Sequence, residues 1–236
     1  MRTLEHKSSS RGNIDHGWLK TNHSFSFANY YNPEKMRFGT LRVLNDDYLS
    51  GGNGFGLHPH DNMEIITIML EGELRHQDSM GNSEVLHDNE VQVMSAGSGI
   101  QHSEFNNQSE GELNLLQIWI YPDKRDIKPT YNQAGFSSSD RKNKWQRIVS
   151  PIGNDGLTIN QNAYISRIEL SGGNEISYEL HGSDKGVYVF VIDGNIKIGE
   201  SNLQKRDAIG IYKTKNINIE SVTNSDVLII EVPMIE

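Results

Sequence analysis

A weak internal repeat is the feature that most constrains the fold of this chain. Residues 70–74 (Leu-Glu-Gly-Glu-Leu) recur 122 positions later as residues 192–196 (Ile-Asp-Gly-Asn-Ile). Residues 86–91 recur 117 positions later as residues 203–208, in the same order along the chain. Repeats that keep their order and nearly their offset are typical of similar units in tandem. A chain of 236 residues is long enough for two small domains.

Each unit is predicted to consist of β-strands. Short segments rich in Ile, Val, Thr and aromatic residues alternate with turns of Gly, Asn and Asp, which is the pattern of an antiparallel sandwich or barrel. The clearest predicted strands are residues 64–70, 115–121, 163–170, 187–192 and 227–232. Hairpin turns are predicted at residues 71–72, 80–82 and 193–195.

Helix signals are few, and the strongest lies between the two repeat units. Residues 138–149 are predicted as a helix, because a Ser/Asp cluster precedes an apolar stripe that contains Trp145 and Ile148. We therefore expect an all-β fold of two tandem β-barrel domains. The expected boundaries are 1–125 for the first domain, 126–150 for a linker with the short helix, and 151–236 for the second domain.

Composition excludes several classes of function. The chain has 22 Lys and Arg against 31 Asp and Glu, so its net charge of −9 argues against nucleic acid as a direct partner. Because there is no cysteine, any metal must bind through His, Asp or Glu. Apolar runs are strand-sized, and none has the length of a signal-peptide core or a membrane span. We expect a soluble, cytoplasmic monomer without a membrane partner.

Two pairs of polar residues have the spacing of metal ligands. His58 and His60 flank Pro59, and His102 and Glu104 flank a serine. Residues i and i+2 of a strand project from the same face, so three imidazoles and one carboxylate can converge. Such a set suits Fe(II), Mn, Ni, Cu or Zn. Either pair alone is a common strand pattern, but both within one repeat unit indicate a site for one divalent metal ion.

The second repeat unit has no corresponding ligand set. The repeat offsets carry the four candidate ligands and Glu64 onto the following residues: Leu180, Gly182, Gly186, Ile219 and Ser221. His181 lies one residue out of register and is predicted as a surface or loop residue. The second domain is therefore expected to lack a metal site.

Several further residues lie near these pairs or elsewhere in the predicted first domain and need an assignment. Strand parity from His60 places Glu64 on the ligand face, as a hydrogen-bond partner of a ligand imidazole or as a ligand itself. His23 is predicted as a hydrogen-bonded structural histidine, or as a residue that faces the site. His76 and His87 are predicted as hairpin residues. An aromatic string could line a pocket for a flat polyphenol or simply pack in the core: Phe25, Phe27, Tyr30 and Tyr31.

Several long strings resemble one family. They are His16-Gly17-Trp18-Leu19, His23-Ser24-Phe25-Ser26-Phe27-Ala28, His58-Pro59-His60 with Glu64, Asp78-Ser79-Met80-Gly81-Asn82, and residues 94–104 (Met-Ser-Ala-Gly-Ser-Gly-Ile-Gln-His-Ser-Glu). Over essentially its whole length the chain resembles the pirins, which are bicupins, and in particular the bacterial pirin-like proteins with quercetin 2,3-dioxygenase activity. The resemblance implies two tandem cupin domains of jelly-roll-like β-structure.

The resemblance also implies a site and a reaction. By its motifs the metal ligands are His58, His60, His102 and Glu104, and the usual metal is Fe(II), with Mn, Ni, Cu, Zn or Co as alternatives. Glu104 would be the base that removes the proton of a flavonol, which is then cleaved with O2. Other members of the family are non-enzymatic, metal-dependent regulators that bind transcription or metabolic proteins. A structural bicupin, metal-free or filled with Zn, is a third alternative.

Overall fold

The protein folds almost entirely into antiparallel β-strands, in a computed structural model that describes residues 1–153 and 155–234. The strands before residue 136 are β1 (Arg2–His6), β2 (Gly12–Asp15), β3 (Leu19–His23), β4 (Leu41–Ser50), β5 (Gly54–His60), β6 (Glu64–Glu71), β7 (Leu74–Asp78), β8 (Ser83–Leu86), β9 (Glu90–Ser95), β10 (Ile100–Asn106), β11 (Glu112–Ile120) and β12 (Thr130–Gly135). The later strands are β13 (Gln146–Ser150), β14 (Leu157–Thr158), β15 (Tyr164–Leu170), β16 (Glu175–Glu179), β17 (Lys185–Asp193), β18 (Asn195–Ile198), β19 (Ser201–Gln204), β20 (Ala208–Tyr212), β21 (Asn216–Ser221) and β22 (Ser225–Pro233).

These strands form two similar units, each built from a seven-stranded and a four-stranded sheet. In the N-terminal unit the strand orders are β12-β9-β6-β11-β4-β3-β2 and β5-β10-β7-β8. In the C-terminal unit they are β1-β20-β17-β22-β15-β13-β14 and β16-β21-β18-β19. The predicted all-β fold of two tandem jelly-roll-like domains is confirmed. Among the described strands, each unit consists of two separate sheets rather than one closed barrel.

The repeated segments occupy equivalent turns in the two units. Residues 70–74 connect β6 to β7, and residues 192–196 connect β17 to β18. Gly72 and Gly194 have φ values of 87° and 88°, a left-handed conformation that glycine adopts without steric cost. These turns were predicted as hairpins, but each carries the chain from the seven-stranded to the four-stranded sheet. The predicted turn at residues 80–82 is a true hairpin, because β7 pairs with β8.

The predicted helix at residues 138–149 is wrong for most of its length. A short 3-10 helix covers Ser138–Arg141, and residues 146–150 form strand β13, which pairs with β15. Ile148 and Val149 are buried in the core between the units, so tertiary packing overrides the local helix signal. No helix among the described residues has the length and apolar character needed to cross a membrane.

Strand pairing crosses the predicted domain boundaries at two places. Strand β1 lies at the start of the chain but pairs with β20 in the C-terminal unit. Strand β12 lies in the predicted linker but pairs with β9 in the N-terminal unit. The two units are therefore joined by an exchanged strand as well as by the connection between them.

The seven-stranded sheets pack against each other and are buried on both faces. In β17, Tyr188 and Phe190 face the core between the units, whereas Val187 and Val189 face the interior of the C-terminal unit. Because both faces are buried, such strands appear in the sequence as continuous apolar runs rather than as alternating patterns. In β6, Ile66 and Ile68 face the core between the units, whereas Thr67 between them faces the interior of the N-terminal unit. A buried polar residue at this position indicates a functional site inside the unit.

Candidate metal centre

Three neighbouring strands of the four-stranded N-terminal sheet direct polar side chains into the interior of the unit. The strands are β5, β10 and β7, and each supplies two polar residues at i and i+2, which project from one face. These residues are His58 and His60 on β5, His102 and Glu104 on β10, and His76 and Asp78 on β7. The antiparallel register places His102 opposite His58 and opposite Asp78.

The three predicted histidine ligands lie together. One ring nitrogen from each of His58, His60 and His102 lies within 4.8 Å of the others. The ring centroids of His58 and His102 are 4.4 Å apart, and His60 lies 4.9 Å from each. Three imidazoles at this separation can share one metal ion.

Two of these imidazoles are uncharged at neutral pH, which suits the binding of a cation. Burial and the neighbouring imidazoles lower the pKa of His60 and of His102 to about 3, so both rings are neutral at neutral pH. His102 is 1% exposed, and both of its ring nitrogens lack a hydrogen-bond partner. A buried polar atom without a partner is costly, and a metal ion would satisfy this ring. The residues present therefore fit a bound divalent metal.

One histidine is held in the tautomer that a metal requires. The Nδ1 atom of His58 lies 2.7 Å from the carbonyl oxygen of Gly56, which can only accept a hydrogen bond. The proton therefore resides on Nδ1, and Nε2 keeps its lone pair for a ligand. The ring of His60 packs edge-on against Trp119 with a centroid distance of 4.9 Å, which restricts its rotation.

Glu104 belongs to a second, overlapping group. One ligand atom each from His76, His102 and Glu104 lies within 4.8 Å of the others, and all three side chains are buried. The Glu104 carboxylate accepts hydrogen bonds from Gln117 Nε2 at 3.0 Å and from Thr67 Oγ1 at 3.3 Å. Burial raises the pKa of Glu104. The opposite sheet therefore fixes the carboxylate beside His102.

His76 was predicted as a hairpin residue and lies in the β7–β8 hairpin, but its side chain also reaches His102 and Glu104. It is fully buried, pairs with Glu104 across β7 and β10, and stacks on Tyr131 at a centroid distance of 4.7 Å. Its Nε2 atom lies 3.3 Å from the Asp78 carboxylate, which also accepts a hydrogen bond from the backbone N–H of Asn82. The i, i+2 spacing of His76 and Asp78 is the same signal that identified His58 and His60.

An aromatic cavity of about 420 Å³ lies over the histidines. Its walls include Trp18, Phe27, Phe55 and Trp119. Asp47 also lines it, is buried, and accepts a hydrogen bond from the Thr21 hydroxyl. Burial raises the pKa of Asp47 to about 7. A flat aromatic molecule can stack on these walls with its polar atoms directed at the histidines.

Comparisons with known proteins agree with this architecture. Residues 5–120 match the family described as Pirin, and residues 147–232 match the quercetinase C-terminal cupin domain. A quercetin 2,3-dioxygenase of Escherichia coli strain K12 is 41% identical over 228 residues, which cover 96% of this chain and 97% of that protein. The chain belongs to the pirin family. Its two units are cupin domains.

Solved structures of other proteins share this pirin-family fold. The bacterial pirin YhhW from Escherichia coli, in complex with nickel(II), has a TM-score of 0.94 and 39% identity, covering 99% of this chain and all of that one. A quercetin 2,3-dioxygenase from Acinetobacter baumannii has a TM-score of 0.78 at 19% identity, over 100% of this chain and 79% of its own. The second likeness shows the fold alone.

The expected role of Glu64 in the pirin site is wrong. Its carboxylate accepts hydrogen bonds from Ser95 Oγ at 2.7 Å and from the backbone N–H of Asn160 at 3.1 Å, on the side that faces the C-terminal unit. Strand parity does not extend from His60 to Glu64, because the chain leaves β5 and turns at Asn62, where φ is 46°. The interior-facing neighbour in β6 is Ile65, which lines the cavity.

The aromatic string divides between the core and the cavity. Phe27 lines the metal cavity, whereas Phe25 packs in the core between the units. Tyr31 is 73% exposed. His23 is buried, with an unpartnered Nδ1 atom, and it lines a neighbouring chamber. His87 is an exposed residue that follows β8.

The register of the C-terminal sheet identifies the residues that are equivalent to the predicted ligands. Leu74 in β7 pairs with Asn106 in β10, and the repeat-related Ile196 in β18 pairs with Ser221 in β21. Asn106 and Ser221 therefore occupy equivalent positions in the two cupin domains. Residues at matching distances before them on β10 and β21 are equivalent as well.

By this register, His102 corresponds to Ile217 and Glu104 corresponds to Ile219. Both isoleucines are buried in the apolar interior of the C-terminal unit. The constant repeat offset placed these counterparts two residues later, at Ile219 and Ser221, because it did not allow for the shorter connection before β21. Aliphatic side chains thus fill the space that His102 and Glu104 occupy in the N-terminal unit.

His181, which was predicted as a surface or loop residue of the C-terminal unit, is held by contacts with neighbouring side chains. It follows β16 and stacks on Tyr164 with a centroid distance of 3.8 Å. Its backbone N–H and its Nδ1 atom both lie 2.8 Å from the buried carboxylate of Glu231. The side chain is about one third exposed, so it is partly a surface residue, as predicted.

Proposed function

We propose that this pirin is a metal-dependent dioxygenase that cleaves flavonols such as quercetin with O2 and releases carbon monoxide. The observation that carries the proposal is the group of three imidazoles, His58, His60 and His102, at the base of an aromatic cavity. The cavity volume of about 420 Å³ lies in the range of small-molecule sites. Relatives named quercetin 2,3-dioxygenase support the substrate class.

The metal ligands we propose are the three histidines together with Glu104. Nitrogen and carboxylate donors of this kind suit Fe(II), and also Mn, Ni, Cu, Zn or Co. When bound, the metal would polarise the flavonol oxygen and allow electrons to pass from the deprotonated flavonol to O2. Burial keeps His60 and His102 neutral, and the hydrogen bond from His58 to Gly56 orients the third ring.

Glu104 is proposed to accept the proton of the flavonol 3-hydroxyl. Its carboxylate is buried beside His102 and lines the cavity that would receive the substrate hydroxyl. Gln117 and Thr67 hold the carboxylate by hydrogen bonds, so the acceptor oxygen is oriented before the substrate arrives. The flavonol anion then reacts with O2. The heterocyclic ring opens, and the carbon that carried the hydroxyl leaves as carbon monoxide.

The aromatic walls are proposed to bind and orient the flat ring system. Trp119 and Phe27 pack edge-on at a centroid distance of 5.2 Å, which holds both rings in place along the cavity. Apolar walls also exclude water from the deprotonated substrate, which strengthens its electrostatic interactions inside the site.

The test is metal reconstitution under anaerobic conditions, followed by exposure to air with quercetin. Protein loaded separately with Fe(II), Mn, Ni, Cu, Zn or Co should lose the flavonol absorbance band with at least one metal and release one carbon monoxide per quercetin. His58→Ala should abolish turnover, and His181→Ala in the C-terminal unit should retain it. Tight metal binding without turnover under every metal would contradict the enzyme and favour a non-enzymatic regulator.

The role of Glu104 can be tested separately. Glu104→Gln keeps the shape of the side chain and one carbonyl oxygen but removes the basic carboxylate. Turnover should therefore fall at least 100-fold while most metal is retained. His102→Ala should lose both metal and turnover. Equal metal loss in the two variants would contradict the assignment of Glu104 as the base.

A further inference from the structure

A second chamber of about 320 Å³ adjoins the metal cavity. The two chambers share five lining residues: Trp18, Phe27, Asn45, Asp47 and Phe55. They are therefore neighbouring spaces, divided by these side chains. The second chamber extends away from the metal ligands, towards His16 and His23.

Phe27 stands at the division between the chambers. Its ring packs edge-on against Trp119, which lines the metal cavity, at 5.2 Å. It also packs edge-on against His23, which lines the second chamber, at 5.1 Å. Phe27 is held by a tight turn in which it exchanges backbone hydrogen bonds with Tyr30, and Ala28 has a φ of 47°. The local backbone conformation therefore holds the Phe27 ring between the two chambers.

Two buried polar side chains of the second chamber lack partners. His23 is 2% exposed and Asn45 is 3% exposed. The Nδ1 atom of His23 and the Oδ1 atom of Asn45 have no hydrogen-bond partner in the protein. Burial, followed by the charge of Arg11, lowers the pKa of His23 to about 4, so its ring is neutral at neutral pH. Unpartnered polar atoms in an aromatic chamber match a ligand that is both aromatic and hydroxylated.

Resting on the proposed function, we propose that this chamber binds the hydroxylated pendant phenyl ring of the flavonol, with His23 and Asn45 as its hydrogen-bond partners. In a flavonol the 3-hydroxyl and the neighbouring carbonyl belong to the fused two-ring system, which occupies the metal cavity. The pendant ring is attached next to the hydroxyl-bearing carbon through a single bond. It can therefore tilt to pass Phe27 and Phe55, whereas the fused rings are rigid.

The test compares two flavonols by calorimetric titration of nickel-loaded protein without O2, so that no turnover occurs. Quercetin carries two hydroxyls on its pendant ring, and galangin carries none there but has the same fused ring system. The wild-type protein should bind quercetin at least tenfold more tightly than galangin. His23→Phe should remove this preference and leave galangin affinity within twofold. His23→Gln, which keeps hydrogen-bonding atoms, should restore part of the preference.

The matched control is His87→Phe, the same substitution at an exposed position, and it should keep the full preference. A preference that survives in His23→Phe, or equal wild-type affinities for the two flavonols, would overturn the chamber assignment and leave the proposed function intact. Binding of neither flavonol by the wild-type protein would overturn the proposed function and this inference with it.

Discussion

The two cupin domains share one arrangement of strands but differ in what fills the space between their sheets. In the C-terminal unit, Ile217 and Ile219 belong to an apolar core that occupies the interior. In the N-terminal unit, the equivalent positions carry His102 and Glu104, and an aromatic cavity remains. The comparison shows that the strands tolerate either filling. One unit uses its interior for stability, and the other uses the same interior for a site.

One buried polar side chain in each unit shows the same difference between fold and site. In the C-terminal unit the buried carboxylate of Glu231 accepts hydrogen bonds from the hydroxyl of Tyr178 at 2.9 Å and from His181. In the N-terminal unit His102 is equally buried, but neither of its ring nitrogens has a partner. The partnered carboxylate of Glu231 contributes to the fold, whereas the unpartnered ring of His102, beside His58 and His60, is available to a ligand.

The largest predicted effect comes from placing a ligand-type residue in the C-terminal interior. Ile219→Glu buries a carboxylate among aliphatic side chains that offer no hydrogen bonds, so it should lower the free energy of unfolding by at least about 4 kcal/mol. Ile219→Val should cost only about 1 kcal/mol. Urea denaturation measures both. A loss near 1 kcal/mol for Ile219→Glu would show that the C-terminal interior is also open to polar groups.

Metal binding should stabilise the N-terminal unit. Nickel at about 100 times its dissociation constant should raise the free energy of unfolding by about 3 kcal/mol, because the folded ligand set binds it and the unfolded chain does not. His58→Ala should show less than about 0.5 kcal/mol of this gain. Urea denaturation with and without nickel measures the difference. An equal gain in His58→Ala would place the metal elsewhere.

An effect of similar size concerns the surface where the two units meet. His6 is 3% exposed, and its Nδ1 atom lies 2.8 Å from the Tyr188 hydroxyl. Burial, followed by the charge of Lys35, lowers the pKa of His6 to about 4. Since the unfolded chain binds a proton below about pH 6.5 and the folded chain does not, stability should fall as the pH drops from about 6.5 to 4.

The contribution of His6 to this loss should be about 3 kcal/mol, and it should not increase further below pH 4. His6→Gln cannot take up this proton, so the metal-free variant should lose correspondingly less stability over the same interval. Urea denaturation at a series of pH values measures the difference. Identical pH dependence in the two proteins would mean that His6 is not buried as the structure shows.

The smallest effect is expected at the surface of the C-terminal unit. Lys205 and Asp193 form an ion pair at 2.9 Å, but both side chains are 62% exposed. Because water screens such pairs, Lys205→Ala should change the free energy of unfolding by less than about 0.5 kcal/mol. A loss above 1 kcal/mol would show that surface charges, and not only the apolar interior, stabilise this unit.

Much of the fold was predictable because the strand signals are local. The five predicted strands correspond to β6, β11, β15, β17 and β22, each a run of β-branched and other apolar residues. The pairing of β1 with β20 joins residues about 200 positions apart, and no local pattern specifies it. Strand β13 was mistaken for a helix because its partner strand, rather than its own sequence, determines its conformation.

The candidate ligand residues could be predicted for a similar reason, and other residues around them were missed. The i, i+2 spacing of His58 and His60 depends only on the geometry of one strand, so the local sequence is enough to predict that both side chains share a face. Thr67 and Gln117 contact Glu104 from the opposite sheet, so only the folded structure brings them to it. Glu64 was misassigned because a turn interrupts the parity on which its prediction depended.

The most direct test of this account is the metal content of three purified proteins after reconstitution with nickel and removal of unbound metal. Wild-type protein and His181→Ala should each hold one nickel per chain, because the proposed ligands lie in the N-terminal unit alone. His102→Ala should hold none while keeping the wild-type circular dichroism spectrum. One nickel per chain in His102→Ala, or its loss in His181→Ala, would contradict the assignment of the metal centre to the N-terminal histidines.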